Sequence, residues 1–214
     1  VMVLHGYWRS SASYRVRIAL ALKGLDYDAR SWDLRHGAQF GADFMALNPL
    51  SSVPVLQTDQ GPLTQSMAIM EWLETEVPDP TLLSADPMTA ARIRAAAQII
   101  ASDVHPLNNL SVLKRLRGMG HDEADLRDWM QHWMGRGLAA FQTMLPDSGD
   151  FCFGDRPSLA DICLIPQLYN ARRWALDLAP LQRLVAIETA CLAHPAFRAA
   201  HPDNQTDAFE ETPT

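Results

Sequence analysis

Cysteine is scarce in this chain. Cys152, Cys163 and Cys191 are odd in number, far apart, and form neither a Cys-x-x-Cys pair nor a zinc spacing. A disulfide framework is therefore not expected, and reduced thiols in a cytoplasmic protein are. No His, Cys and carboxylate cluster has metal-ligand spacing, so no metal centre is expected. A glycine-rich phosphate loop is also missing. No segment approaches the ~18 consecutive apolar residues that a membrane helix needs. Val1 to Arg15 lacks the basic-then-apolar pattern of a signal peptide. Lysine occurs only at Lys23 and Lys114, so arginine carries almost all the positive charge, a bias that points to no function. Acidic residues outnumber basic ones by 25 to 18, a net charge of −7. That disfavours a general nucleic-acid binder, which needs clustered cations to displace phosphate counterions. Repeats and low-complexity stretches are absent.

What is present is a globular composition. The 214 residues are 48% hydrophobic and 20% charged, which allows one large domain or two small ones. Met2-Val3-Leu4 suits a buried strand. Ser10 or Ser11 as N-cap and Gly24 as C-cap then bracket a helix of about thirteen residues. Tyr27 to Leu34 reads as a strand, and Ala42 to Leu47 as a short helix. Val55-Leu56 and Pro62-Leu63 flank a Gln60-Gly61 turn, as in a hairpin. Gln65-Ser66 opens a helix with Ile69, Met70, Trp72 and Leu73 inside, ended by Pro78 and Pro80. The order β-α-β-α-β-β-α predicts a small mixed sheet covered by helices over residues 1–80.

Strand signals stop after Pro80. Met88 to Leu116, Asp122 to Leu145, Ile162 to Ala175 and Leu181 to Leu192 all carry helical spacing. Ser158 and Asp161 have the form of a capping box. An all-helical domain is expected over 88–214, with the linker near Asp79 to Pro87 and a polar, mobile tail from Pro202.

Several places could carry chemistry. Arg9-Ser10-Ser11-Ala12-Ser13-Tyr14-Arg15 puts hydroxyls and cations at a strand–helix junction, where free N–H groups and the helix dipole favour an anion. A thiolate there would have its pKa lowered. No Cys lies in this stretch, so the thiol would have to arrive on a ligand. Serine is equally an ordinary helix cap. Gln65-Ser66 at a second helix start could hold a carboxylate, or could simply cap. Pro106 should kink its helix, and His105, Asn108 and Asn109 gather polar groups there. Arg172 and Arg173 point roughly 100° apart, so at most one faces a site.

The stretch from Arg9 to Leu20, RSSASYRVRIAL, resembles the RSSCSWRVRIAL signature of the zeta class of glutathione transferases. That class includes isomerases of maleylacetoacetate and of maleylpyruvate. Supporting stretches are Ala46-Leu47-Asn48-Pro49, Val53-Pro54, Gln65 to Ile69, Gly154-Asp155 with Leu159-Ala160-Asp161, and Asp177 to Pro180. The likeness spans nearly the whole chain.

The resemblance implies a thioredoxin-like N-terminal domain that binds glutathione, an all-helical C-terminal domain that shapes the second-substrate pocket, and a homodimer. It implies that Ser10, Ser11 and Ala12 line the thiol. Gln39 and Val53 would meet the tripeptide backbone, with Val53 preceding a cis-Pro54. Gln65 and Ser66 would hold the γ-glutamyl end, and His105, Asn109 and Ser111 would approach from the helical domain. Arg9 and Arg173 would face the carboxylates of a dicarboxylate substrate. The chemistry implied is glutathione-dependent cis–trans isomerisation by reversible thiolate addition to a double bond. A glutathione-dependent dehalogenase of small α-halo acids, and a non-catalytic binding protein of the same fold, are the alternatives. Two departures stand out. Ala12 replaces a common Cys and Tyr14 a common Trp. His105 matches maleylpyruvate enzymes, whereas Leu110-Ser111 matches maleylacetoacetate ones.

Overall fold

The first strand, β1 (Met2–Gly6), runs parallel to β2 (Tyr27–Ser31) and antiparallel to β3 (Val55–Thr58), which pairs antiparallel with β4 (Gly61–Thr64). The sheet order is β2-β1-β3-β4. Leu4 pairs with Leu56, and both are buried. A two-residue turn joins β3 to β4, and Gly61, with φ of 120°, takes the conformation that closes it. The second strand stops at Ser31, short of the expected Leu34. Beyond it the chain bends through Asp33, whose carboxylate accepts from the Arg35 and His36 side chains instead of continuing a ladder. This computed structural model describes residues 1–208, in two compact units: Val1–Thr81 with residues 194–208, and Leu82–Ala193.

Three helices accompany the sheet: α1 (Ser11–Leu22), α2 (Ala42–Leu47) and α3 (Ser66–Glu76). Residues Ser13 to Leu20 of α1 are all buried, including Arg15 and Arg17. Lys23 follows α1, and its wholly buried ammonium donates to Glu74 at 2.9 Å and to the Val77 and Pro80 carbonyls. Three donors thus meet three acceptors and hold the end of α3.

The second unit holds α4 (Pro87–Gln98), α5 (Leu110–Gly118), α6 (Glu123–Thr143), α7 (Leu159–Arg173) and α8 (Gln182–Ala193). Asp122 and Asp125 form a capping box on α6, and Ser158 and Asp161 form the expected one on α7. Asp161 is fully buried and accepts from Cys152 N, Ser158 N and Ser158 Oγ at 2.7–2.8 Å. Burial raises its pKa, and those hydrogen bonds oppose the rise.

Three expectations need correction. Met88 to Leu116 is not one kinked helix. It leaves α geometry at Ile99, runs as a π turn (Ile99–Val104) and a 3₁₀ turn (His105–Asn108), and resumes as α5. Pro106 has no N–H to give the carbonyl four residues back, so the hydrogen-bond register changes around it. The helical unit also ends at Ala193 rather than at the C-terminus. A ninth helix, α9 (Pro195–Ala200), packs against α1, and the buried Arg17 donates to the Ala200 carbonyl at 3.0 Å. Finally, the tail from Pro202 begins as two 3₁₀ turns (Pro202–Asn204 and Thr206–Ala208). Asp207 accepts from Trp8 N at 3.0 Å and from the Ser31 hydroxyl, which ties these turns to the sheet unit. The rest of that expected mobile tail lies outside the described residues.

Candidate active site

In the sheet unit the chain leaves β1 and turns into α1 through Tyr7 to Ser10. Arg17 reaches back from α1 to the Tyr7 and Trp8 carbonyls, at 3.5 and 2.9 Å, and fixes this loop from inside. Arg9 follows, its guanidinium 5.4 Å from the Trp8 ring centre. Ser10 is the N-cap, accepting from Ser13 N at 3.2 Å. Ser11 is therefore the first helical residue. The residue is half-buried, and its hydroxyl makes no hydrogen bond among the described residues. The two serines thus divide the work: Ser10 satisfies the helix end, and Ser11 remains able to donate to an anion there. Ala12, one residue on, supplies no thiol. Neither do the three cysteines, all of them buried. Burial, with Asp161 close by, pushes the Cys152 and Cys191 thiols well up from their usual range.

The start of α3 is the second anion-receptive place in this unit. Gln65 precedes it with φ of 69° and ψ of 114°, an uncommon backbone for a residue with a side chain, and that side chain does not cap the helix. Ser66 does not cap it either. Its hydroxyl oxygen accepts from Nη1 of the buried Arg15 at 3.3 Å. The Ser66 hydroxyl keeps its proton to donate, with a guanidinium behind it and the N–H groups of an uncapped helix start beside it. Gln39 sits in a short 3₁₀ turn (Ala38–Phe40), and its buried Oε1 has no hydrogen-bond partner among the described residues. The Val53–Pro54 bond is cis, as expected, and so is Asp79–Pro80. Asn48 braces the loop before Val53, donating to the Ser52 carbonyl at 2.7 Å and accepting from Leu50 N at 3.0 Å.

The helical unit carries the remaining candidates. His105 opens the 3₁₀ turn, Asn109 precedes α5 without capping it, and Ser111 lies in its first turn. Indole Nε1 of Trp129, on α6, donates to the Leu107 carbonyl at 2.9 Å, and Gln167, on α7, donates to Asn108 Oδ1 at 3.1 Å. The paired arginines at the end of α7 separate as the helical angle requires. Arg172 binds the nearly buried Glu188, which makes it structural. Arg173 takes the other direction, with Nη1 3.4 Å from Asn170 Oδ1. Among the described residues no group of three or more His, Cys, Asp or Glu side chains could hold a metal ion. No helix among them is long and apolar enough to cross a membrane.

Residues 9–76 match the model of the glutathione S-transferase N-terminal domain, and residues 134–202 that of the glutathione S-transferase C-terminal domain. A maleylacetoacetate isomerase of Pseudomonas aeruginosa is 51% identical over 209 residues, covering 96% of this chain and 98% of the relative. This chain belongs to the glutathione S-transferase family. The holo structure of a maleylpyruvate isomerase, a bacterial zeta-class glutathione S-transferase, matches with a TM-score of 0.94 at 42% identity, over 96% of this chain and 99% of that one. A maleylacetoacetate isomerase from Anaeromyxobacter dehalogenans matches with a TM-score of 0.89 at 46% identity, over 100% of this chain and 97% of that one. Its active site holds dicarboxyethyl glutathione and citrate.

The residues of this glutathione S-transferase fit such a tripeptide. An acceptor without a partner at Gln39 would suit a peptide N–H, and an uncapped helix start at α3 would suit a carboxylate. The unpartnered Ser11 hydroxyl stands where a thiolate would gain from the helix field. The sequence had pointed to these positions but not to what supports them. Arg15 lies 51 residues from Ser66, and Trp129 and Gln167 lie 22 and 59 residues from the turn atoms they hold. Nothing local in the sequence marks such long-range ties.

Proposed function

We propose that this chain is a glutathione-dependent cis–trans isomerase of unsaturated keto-diacids, of the maleylacetoacetate or maleylpyruvate type, in aromatic degradation. The observation that carries the reading is the division between Ser10, spent on capping, and Ser11, free to donate. When bound, glutathione supplies a thiolate that adds to the double bond conjugated with a ketone, allows rotation about the resulting single bond, and leaves again as the same thiolate. Ser11 Oγ–H donates to the sulfur and, with the α1 N-terminus, favours its ionised form. Ala12 packs beside it without competing as a nucleophile. Gln39 accepts from the tripeptide backbone, which Val53 also meets. Gln65 and Ser66 take the γ-glutamyl carboxylate at α3. To the helical unit we assign further contacts with glutathione through His105, Asn109 and Ser111. Arg9 and Arg173 bind the substrate carboxylates, and guanidinium forks suit that role.

The bound dicarboxyethyl glutathione of the Anaeromyxobacter relative supports this reading. It is the arrangement a thiol makes with an unsaturated diacid. A homodimer in the cytoplasm, where reduced glutathione is abundant, completes the proposal. Phe40, Met45 and Leu50, apolar residues exposed within one short stretch of the sheet unit, support the assembly.

The substrate clamp gives the test. Arg173→Met should raise KM for either diacid about tenfold or more, since it removes a charge-assisted contact, while the Kd for glutathione stays within about twofold. Equal effects on both ligands would contradict the assignment.

A further inference from the structure

The segment from Ile99 to Asn109 is irregular backbone within a helical unit, and three residues on neighbouring helices shape it. Val104 packs against α6 where Gly137 leaves room: a Cβ on Gly137 would lie 2.0 Å from Val104 Cγ2. Trp129 donates to the Leu107 carbonyl, and Gln167 donates to Asn108 Oδ1 at 3.1 Å. Gln167 has no exposed surface, and Asn108 retains 7% of its own. Gln167 sits among Leu164, Ile165, Leu168 and Ala171, all buried, in the middle of α7.

This amide pair is a poor device for stability. Of its four hydrogen-bonding groups, Asn108 Nδ2 and Gln167 Oε1 are buried without a partner among the described residues. An apolar pair of similar shape would avoid that cost. What the pair provides is direction: a hydrogen bond fixes where Asn108 stands, and apolar contact would let it slide. His105 lies one 3₁₀ turn before Asn108, and Asn109 follows it directly.

We infer that Gln167 is a positioning residue, which through Asn108 sets the place of the turn that presents His105 and Asn109 to glutathione. The inference rests on the proposed glutathione reading for the role of those two residues. Gln167 touches neither glutathione nor the substrate in this account.

The test uses the full chain with Gln167→Leu and with the double variant Asn108→Leu/Gln167→Leu. Three quantities are read: the melting midpoint, the calorimetric Kd for glutathione, and amide hydrogen exchange over residues 105–109 without ligand. In the single variant, Asn108 is left with an unmet acceptor, so the midpoint falls. The Kd should rise about tenfold, and exchange should quicken about as much, because a misplaced contact is costly. In the double variant the unmet polar groups are gone, so the midpoint should recover while Kd and exchange do not. Recovery of all three together would overturn the inference and leave a purely structural role. So would Kd and exchange within about twofold of the unaltered chain in both variants. If the unaltered chain binds no glutathione yet exchange quickens as stated, the tie stands and the glutathione reading falls.

Discussion

Two adjacent serines with the same side chain have different jobs because a helix end has room for one cap. Ser10 Oγ is already engaged with Ser13 N. Removing it in Ser10→Ala should lower stability by about 1 kcal/mol, the usual worth of an N-cap, with turnover at saturating glutathione little changed. Ser11→Ala should do the reverse. Loss of the sulfur's hydroxyl donor should cut kcat about a hundredfold, as for a lost oxyanion donor, with the denaturation midpoint nearly unmoved. Chemical denaturation and initial rates on both variants check this, and a swap of the two phenotypes would contradict it. Neighbouring arginines likewise take different partners: Arg172 binds Glu188, and Arg173 donates to Asn170. At this scale the sequence offered candidates but not their division, because which oxygen points inward depends on backbone angles that spacing does not specify.

At the scale of elements, legibility followed the end signals. The start of α1 was readable from its serines, and α7 from Ser158 and Asp161, because capping chemistry is local. The hairpin was readable from Gln60-Gly61. The π and 3₁₀ turns over 99–108 were not. Ile100 and Val104 keep the apolar spacing of an α-helix, and the departure from it depends on what α6 and α7 allow. Short α9 gave too few residues for a period to show. Gly137 tests this dependence on neighbours. In an open helix, Gly→Ala gains about 1 kcal/mol of propensity. Here the added methyl would meet the stiff, β-branched Val104 at 2.0 Å. Overpacking should win, so Gly137→Ala should destabilise by about 1–3 kcal/mol, read from urea unfolding. A stabilised variant would show that α6 and the π turn are not held as described.

At the scale of the whole molecule, chain order and spatial order part company. Composition changes character near residue 80, while in space residues 194–208 belong with Val1–Thr81. That placement is secured by groups far apart in sequence: Arg17 with Ala200, Trp8 with Asp207, and the wholly buried Phe197. Phe197→Ala should cost about 3–5 kcal/mol, and amide exchange should quicken in residues 1–81 rather than 82–193. The opposite pattern would reassign α9 to the helical unit. The central claim is that glutathione acts here as a catalyst and is returned unchanged. The most direct measurement follows the ultraviolet absorbance of maleylpyruvate and of maleylacetoacetate with purified protein, at glutathione concentrations well below that of substrate. Complete conversion of at least one of them to the trans acid, strictly dependent on glutathione and without its consumption, is the predicted result. Conversion that needs no glutathione, or that stops when one equivalent has been used, would contradict the account.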